Sequence, residues 1–150
     1  MTDSPVDFSE SGVETLRAVM EGRRPDIPMA ISLGYRLIEV EPGRVVFEGR
    51  PTAAFLNPMG TVHGGWAATV LDSCVACAVH STLNPGQAYT TLELKVAYHR
   101  PLTPEVGPVR AEGKVLSVGR RAGFAEGRLT GPDGKLYASA TSTCIVMDAR

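Results

Sequence analysis

Three things are scarce in this sequence, and each scarcity excludes something. Net charge is nearly absent: 15 Lys and Arg against 16 Asp and Glu leave −1 at pH 7. That balance gives no long-range attraction to nucleic acid or to an anionic membrane, so neither partner is expected. Long apolar runs are missing as well. The longest candidate, after Gly64, is interrupted by Asp72 and Ser73, which argues against a membrane-spanning helix. Cysteines number three, Cys74, Cys77 and Cys144. They cannot all pair within one chain, and free thiols fit a reducing, cytoplasmic setting. The first ten residues, MTDSPVDFSE, are acidic and lack an apolar centre, unlike a signal peptide.

What is present is an ordinary globular composition, 43% hydrophobic and 21% charged over 150 residues. That is enough for one domain with a real core. Residues 1–10 read as a frayed tail. Ser11-Gly12-Val13-Glu14 has capping-box spacing ahead of a short helix that ends near Gly22. Arg23 to Pro28 is a linker broken by two prolines. The chain is thus divided into residues 1–27, a tail and short helix, and residues 28–150, the main domain.

Two strands are expected over Tyr35–Val40 and Arg44–Arg50, around the turn Glu41-Pro42-Gly43. Gly64 to Thr82 reads as one long helix, stopped by Asn84-Pro85-Gly86. Tyr89–His99 alternates, with Leu92, Leu94, Val96 and Tyr98 on one side and Thr91, Glu93, Lys95 and Ala97 on the other. Val109–Val118, Ala122–Thr130 and Lys135–Met147 complete a run of strands, the last two joined by Gly131-Pro132-Asp133-Gly134. The order specifies an α+β fold in which a curved antiparallel sheet wraps one central helix. That helix is apolar on nearly all sides, so the sheet and a second subunit must both cover it.

Asp72 is the oddity in that helix. Its helical neighbours Ala68, Thr69, Val75 and Ala76 carry no charge, and no Lys or Arg occurs from Gly64 to Thr82. A solvated face is the ordinary place for a helical Asp. An unpaired carboxylate among apolar residues is instead costly and is suited to acid–base or nucleophilic work. Gly64 and Gly65 open the helix. They allow a tight turn, and they also expose free N–H groups at the positive end of the helix dipole, where a developing oxyanion can be held. His63 either positions this loop or touches substrate. Gly64 and Asp72 are eight residues apart, roughly 12 Å along a helix axis. One helix is therefore too long to bring both to one carbonyl, and an active site shared between two antiparallel copies is expected.

Asn57-Pro58, Gly60, His63-Gly64-Gly65 and Leu71-Asp72 resemble the signature of hotdog-fold acyl-CoA thioesterases of the PaaI-like group, which includes phenylacetate-pathway and 4-hydroxybenzoyl-CoA thioesterases. The likeness runs from about Pro28 to Met147 and takes in Leu33-Gly34-Tyr35, TTLELKVAYHRP (Thr90 to Pro101) and VGRRAGFAEGRL (Val118 to Leu129). The resemblance implies a hotdog fold and a homodimer or homotetramer with sheets joined edge to edge. It implies hydrolysis of an aromatic or medium-chain acyl-CoA, with no metal and no cofactor. Gly64 corresponds to the oxyanion-hole amide, and Asp72 to a carboxylate acting as nucleophile or general base on the neighbour's substrate. Asn57 corresponds to a polar residue orienting water or the carboxylate, His63 to a residue near the thioester, and Thr91 to a hydroxyl that helps hold water. Gly65 belongs to the same substrate-binding turn. Coenzyme A brings phosphates, for which Arg100, Arg120 and Arg121 are candidates; simple solvation of strand ends explains them equally well.

Other readings compete. Cys74-Val75-Ala76-Cys77 has redox spacing but falls mid-helix among apolar residues, where no dipole lowers a thiol pKa. Cys74, Cys77 and His80 do not share a helix face and lack a fourth ligand, against zinc. A non-catalytic acyl-CoA-binding domain has no use for Asp72. A hotdog hydratase resembles a different pattern, an Asp and His pair a few residues apart at the helix start.

Overall fold

The structure, a computed structural model, describes residues 4–150. Three helices and six strands follow in the order α1 (Gly12–Met20), α2 (Pro28–Leu33), β1 (Tyr35–Glu41), β2 (Arg44–Gly49), α3 (Gly64–His80), β3 (Gln87–Tyr98), β4 (Val109–Val118), β5 (Ala122–Thr130) and β6 (Leu136–Asp148). The strands form one sheet, ordered β1-β2-β4-β5-β6-β3, with every neighbouring pair antiparallel. α3 lies across the concave face against β2, β4, β5, β6 and β3. This is the hotdog arrangement expected from the order of elements.

α3 sits close because the sheet is glycine-lined beneath it. A Cβ at Gly113 would collide with the Cys74 carbonyl, and one at Gly127 would come 2.8 Å from Val75 Cγ1. Leu71, Cys74, Val75 and Val79 are fully buried there. Each aliphatic side chain enclosed in this way contributes about 1.5–3 kcal/mol. The convex face is held by charge: Arg44 joins Glu39 at 2.8 Å and Glu112 at 2.7 Å, and Arg110 joins Glu39.

Four sequence expectations need correction. Residues 1–3 of the expected frayed tail lie outside the described residues. Residues 4–10 are fastened: Arg24 pairs with Asp7 at 2.9 Å and with Glu10 at 3.1 Å, and the Gly86 amide donates to the Phe8 carbonyl at 2.7 Å. The linker, expected to run to Pro28, stops one residue earlier, because Pro28 opens α2, which ends at Gly34 with φ 70°. Only glycine adopts that left-handed cap at no steric cost. α3 stops at His80, short of Thr82, with Ser81 as cap.

The fourth correction concerns β3. A bulge falls between Thr91 and Glu93. Thr91 pairs with buried Cys144, and Leu94, Val96 and Tyr98 pair with buried Ser142, Ala140 and Ala138. Directly paired residues share a face, so Thr91 faces inward with Leu94, while Leu92 is left 60% exposed. The extra residue shifts the two-residue period by one.

Candidate active site

The N-terminus of α3 is set by its cap. His63 has extended-type dihedrals (φ −58°, ψ 132°), and its Nδ1 accepts from the Gly65 N–H at 2.9 Å. Acceptance at Nδ1 puts the ring proton on Nε2. The Gly65 amide is thereby committed to His63. The Gly64 amide has no acceptor among the described residues. It is an open donor at the positive end of a 17-residue helix. On its other side Gly64 accepts from the Tyr98 hydroxyl at 2.7 Å through its carbonyl. A Cβ at position 64 would come 3.0 Å from Tyr98 Oη.

The loop that delivers His63 is tied to itself. Asn57 Oδ1 accepts from the amides of Met59 (2.9 Å) and Thr61 (3.2 Å), and Asn57 Nδ2 donates to Thr61 Oγ1 at 2.8 Å. Both ends of this side chain are used within the loop, so Asn57 shapes the turn, and no hydrogen bond joins it to Asp72 of its own chain among the described residues. The His63 amide donates to the Phe55 carbonyl at 2.7 Å and the Val62 amide to the Leu102 carbonyl at 2.9 Å.

Asp72 lies two turns along α3. It is half-buried rather than enclosed, and it is not without a partner: Thr91 Oγ1 donates to Asp72 Oδ1 at 3.0 Å. No cation pairs with it among the described residues. The expected full burial is therefore corrected to a half-exposed carboxylate fixed by one hydroxyl. The β3 bulge makes that bond, since an uninterrupted strand would turn Thr91 to the convex face. Next to Asp72, Ser73 Oγ and Tyr35 Oη are 2.9 Å apart, which pins the helix to β1.

Gly64 and Asp72 open into different cavities. Gly64, Tyr98 and Arg100 line one of about 300 Å³. Asp72 and Thr91 line another of about 410 Å³. Arg100 thus stands with Gly64. Arg120 and Arg121 are exposed on the β4–β5 turn, beside Gly123, whose Cβ would press on Val79 near the far end of α3. A single chain does not bring the three arginines together.

The remaining polar groups are quiet. Cys74 and Cys77 are buried, and burial pushes the Cys77 thiol up to about 12 and raises Cys74 well above its ordinary value. These are thiols, not reactive thiolates. Burial lowers the His80 pKa to about 4, and its ring lies 4.9 Å from that of Tyr89. Sequence reasoning missed the role of Tyr98, although its alternation with Val96 had already placed it on the inward face. It also missed the N-terminal segment, whose Val6 and Phe8 help line the Asp72 cavity.

The model of the Thioesterase superfamily matches residues 59–138, from the loop before α3 to the start of β6. The chain belongs to this superfamily. A proposed esterase of Saccharolobus solfataricus, SSO2140, is 31% identical over 115 residues, 77% of this chain and 80% of its own length. The proofreading thioesterase EntH of Klebsiella pneumoniae is 30% identical over 94 residues, 63% of this chain and 67% of EntH. Among solved structures, a phenylacetic acid degradation-related protein of Ralstonia eutropha JMP134, described as a proposed thioesterase, superposes with a TM-score of 0.79 at 33% identity, covering 87% of this chain and 98% of that one. This thioesterase-superfamily chain is a thioester hydrolase, and its relatives support an acyl-CoA thioesterase in general. No described helix is long and apolar enough to cross a membrane.

Proposed function

We propose that the protein hydrolyses an aromatic or medium-chain acyl-CoA to coenzyme A and a carboxylic acid, at sites built from two subunits. The observation that carries this reading is the separation of an open amide donor, Gly64, from a fixed carboxylate, Asp72, by eight residues of one helix. A carbonyl oxygen must lie within about 3 Å of its donor while the attacking group reaches the carbon. Two α3 helices running antiparallel bring Gly64 of one subunit opposite Asp72 of the other and meet that need twice per dimer.

β3 supports the pairing. It is twelve residues long, is bonded to β6 on one side, and is a sheet edge on the other. A long open edge invites pairing with another chain. A two-fold axis there makes the contact self-complementary.

In the reaction, the Gly64 N–H holds the carbonyl oxygen as it gains charge. Asp72 either takes a proton from a water that adds to the carbonyl carbon, or attacks that carbon itself, and water then opens the resulting anhydride. In both routes the C–S bond breaks and coenzyme A leaves as thiolate, which recovers a proton. Thr91 fixes Asp72 through its 3.0 Å bond, and its oxygen remains able to accept from the water. His63 holds the turn, and Arg100, Arg120 and Arg121 are the cations offered to the phosphates. A cytoplasmic homodimer or homotetramer is the form proposed.

The test is release of coenzyme A from a panel of acyl-CoA thioesters, followed by subunit mixing. Asp72→Asn and Gly64→Trp homodimers should both be inactive, and mixed dimers should regain activity, because one of their two sites has Gly64 and Asp72 intact. Mixed dimers as inactive as their parents would sink the shared site. A parent inactive on every thioester would sink the acyl-CoA reading.

A further inference from the structure

Asp72, Ala76 and His80 are spaced at i, i+4 and i+8 and share one face of α3. From Asp72 to His80 that face runs roughly 12 Å. One margin of it meets β3, through Thr91 at Asp72 and Tyr89 at His80. It lines the cavity of about 410 Å³, and the opposite wall is the chain's own N-terminal segment: Val6, then Leu16 and Val19 of α1. The walls are dry, with Leu16 3%, Val19 7% and Ala76 8% exposed. The segment is held in place by the Arg24 ion pairs to Asp7 and Glu10 and by Thr15 Oγ1, which donates to the Asp7 carbonyl at 3.1 Å. The far end is closed. His80 is 4% exposed, and a Cβ on Gly12 would meet its ring Cδ2 at 2.8 Å.

The cavity thus has the reactive carboxylate at one end, sides that are mainly apolar with uncharged hydroxyls from Thr15 and β3 among them, and a stopped end. Its size falls in the range of small-ligand pockets. No Lys or Arg lines it, which makes it a poor place for the phosphates of coenzyme A and a good one for an apolar acyl group. The N-terminal residues that build the wall lie outside residues 59–138, the part matched by the superfamily.

We propose that the acyl group of the substrate lies between α1 and the Asp72–Ala76–His80 face, and that the distance from Asp72 to His80 sets the longest acyl group accepted. This rests on the assignment of Asp72 to the reacting carbon. The N-terminal segment is then the specificity wall of an otherwise common catalytic scaffold, and Leu16, Val19, Ala76 and His80 are the residues that measure the chain. Burial of each further methylene raises kcat/KM about fourfold until the tail meets His80, after which the rate falls.

The experiment is a ladder of straight-chain acyl-CoA thioesters from acetyl upward, measured as kcat/KM with the full-length protein. The parent should show a single rise and a sharp fall. Ala76→Phe, which blocks the face half-way, should move the peak to shorter acyl groups. The ratio of kcat/KM for the parent's best substrate to that for acetyl-CoA should drop tenfold or more. Val19→Phe blocks the same passage from the opposite wall, so the test survives if one variant fails to fold, as judged by circular dichroism. Folded variants that slow all members of the ladder alike, or that leave its shape unchanged, overturn the proposal while leaving the thioesterase reading intact. A parent active on thioesters with a flat ladder does the same. A parent that hydrolyses none of them overturns this proposal, and one that also leaves aromatic acyl-CoA thioesters intact overturns the thioesterase reading as well.

Discussion

The start and the middle of α3 bring different materials to the proposed chemistry. At the N-terminus the useful group is backbone: the Gly64 amide, left open because His63 caps Gly65 instead. Two turns later it is a side chain, Asp72, held by Thr91. The first end gains from having no side chain, since Tyr98 Oη already stands 3.0 Å from where a Cβ would be. The second gains from having one in a half-exposed position beside a dry wall. Backbone donors are placed by the helix and move with it. Side-chain groups depend on neighbours in other elements, here β3 and the N-terminal segment. The first end should therefore respond to changes of bulk, and the second to changes of hydrogen bonding and charge.

The contrast is broken most strongly at the carboxylate. Asp72→Asn should lower kcat by about a hundredfold or more, or about 2.7 kcal/mol. Its melting temperature should equal or exceed that of the parent, because the change removes a half-buried charge. A variant that melts clearly lower while keeping its activity would contradict the assignment.

The next largest effect is in stability, at the closed end of the same face. His80 titrates near 4 in the folded chain because burial disfavours its charged form, against 6.5 when free. Its folded value is the lower one, so the unfolded chain takes up the proton first as pH falls. Stability is complete above pH 6.5 and is lost on the way down to about pH 4. Denaturant melts at pH 7 and pH 5 should differ by about 2 kcal/mol from this group, and His80→Phe should remove that difference.

At the helix start, Gly64→Ala should cost about tenfold in kcat/KM, on the order of 1.4 kcal/mol, by pushing Tyr98 and the amide apart. Tyr98→Ala in the same chain should restore part of the loss by vacating the space. If the double variant is no better than Gly64→Ala, bulk is not what this end resists. The smallest effect is at Thr91. Thr91→Val keeps the shape and removes one hydrogen bond to Asp72, so a loss of about threefold to tenfold is expected, the worth of one bond. It should appear in kcat rather than in KM.

Much of this was legible in the sequence because it rests on short-range rules. The capping box at Ser11 and Glu14 is present, with the Ser11 amide 3.2 Å from Glu14 Oε2. β4 and β5 begin and end where their patterns predict. The eight-residue gap from Gly64 to Asp72 needed only helix geometry. What escaped notice depends on other parts of the chain. α2 has six residues, too few to show a helical period, and its true markers were Pro28 and Gly34. The bulge at Thr91 is invisible to an alternation count, which assigned Leu92 and Thr91 each to the wrong face. The environment of Asp72 was misjudged for a similar reason: its helical neighbours are apolar, but its partner comes from β3, nineteen positions away.

β3 touches both halves of the proposed chemistry, through Thr91 at Asp72 and through Tyr98 at Gly64. It acts as a gauge bar with two stops, seven positions apart, laid beside a helix whose own two working points are eight positions apart. Its zero is the bulge, which locks where the bar lies against β6. If β3 slips by two residues, both contacts shift together by about 6.8 Å. If it slips by one, both turn outward at once. In the proposed dimer, the strand whose open edge meets the second subunit is also the part that sets the tolerance of the site, so assembly and alignment would rest on the same twelve residues.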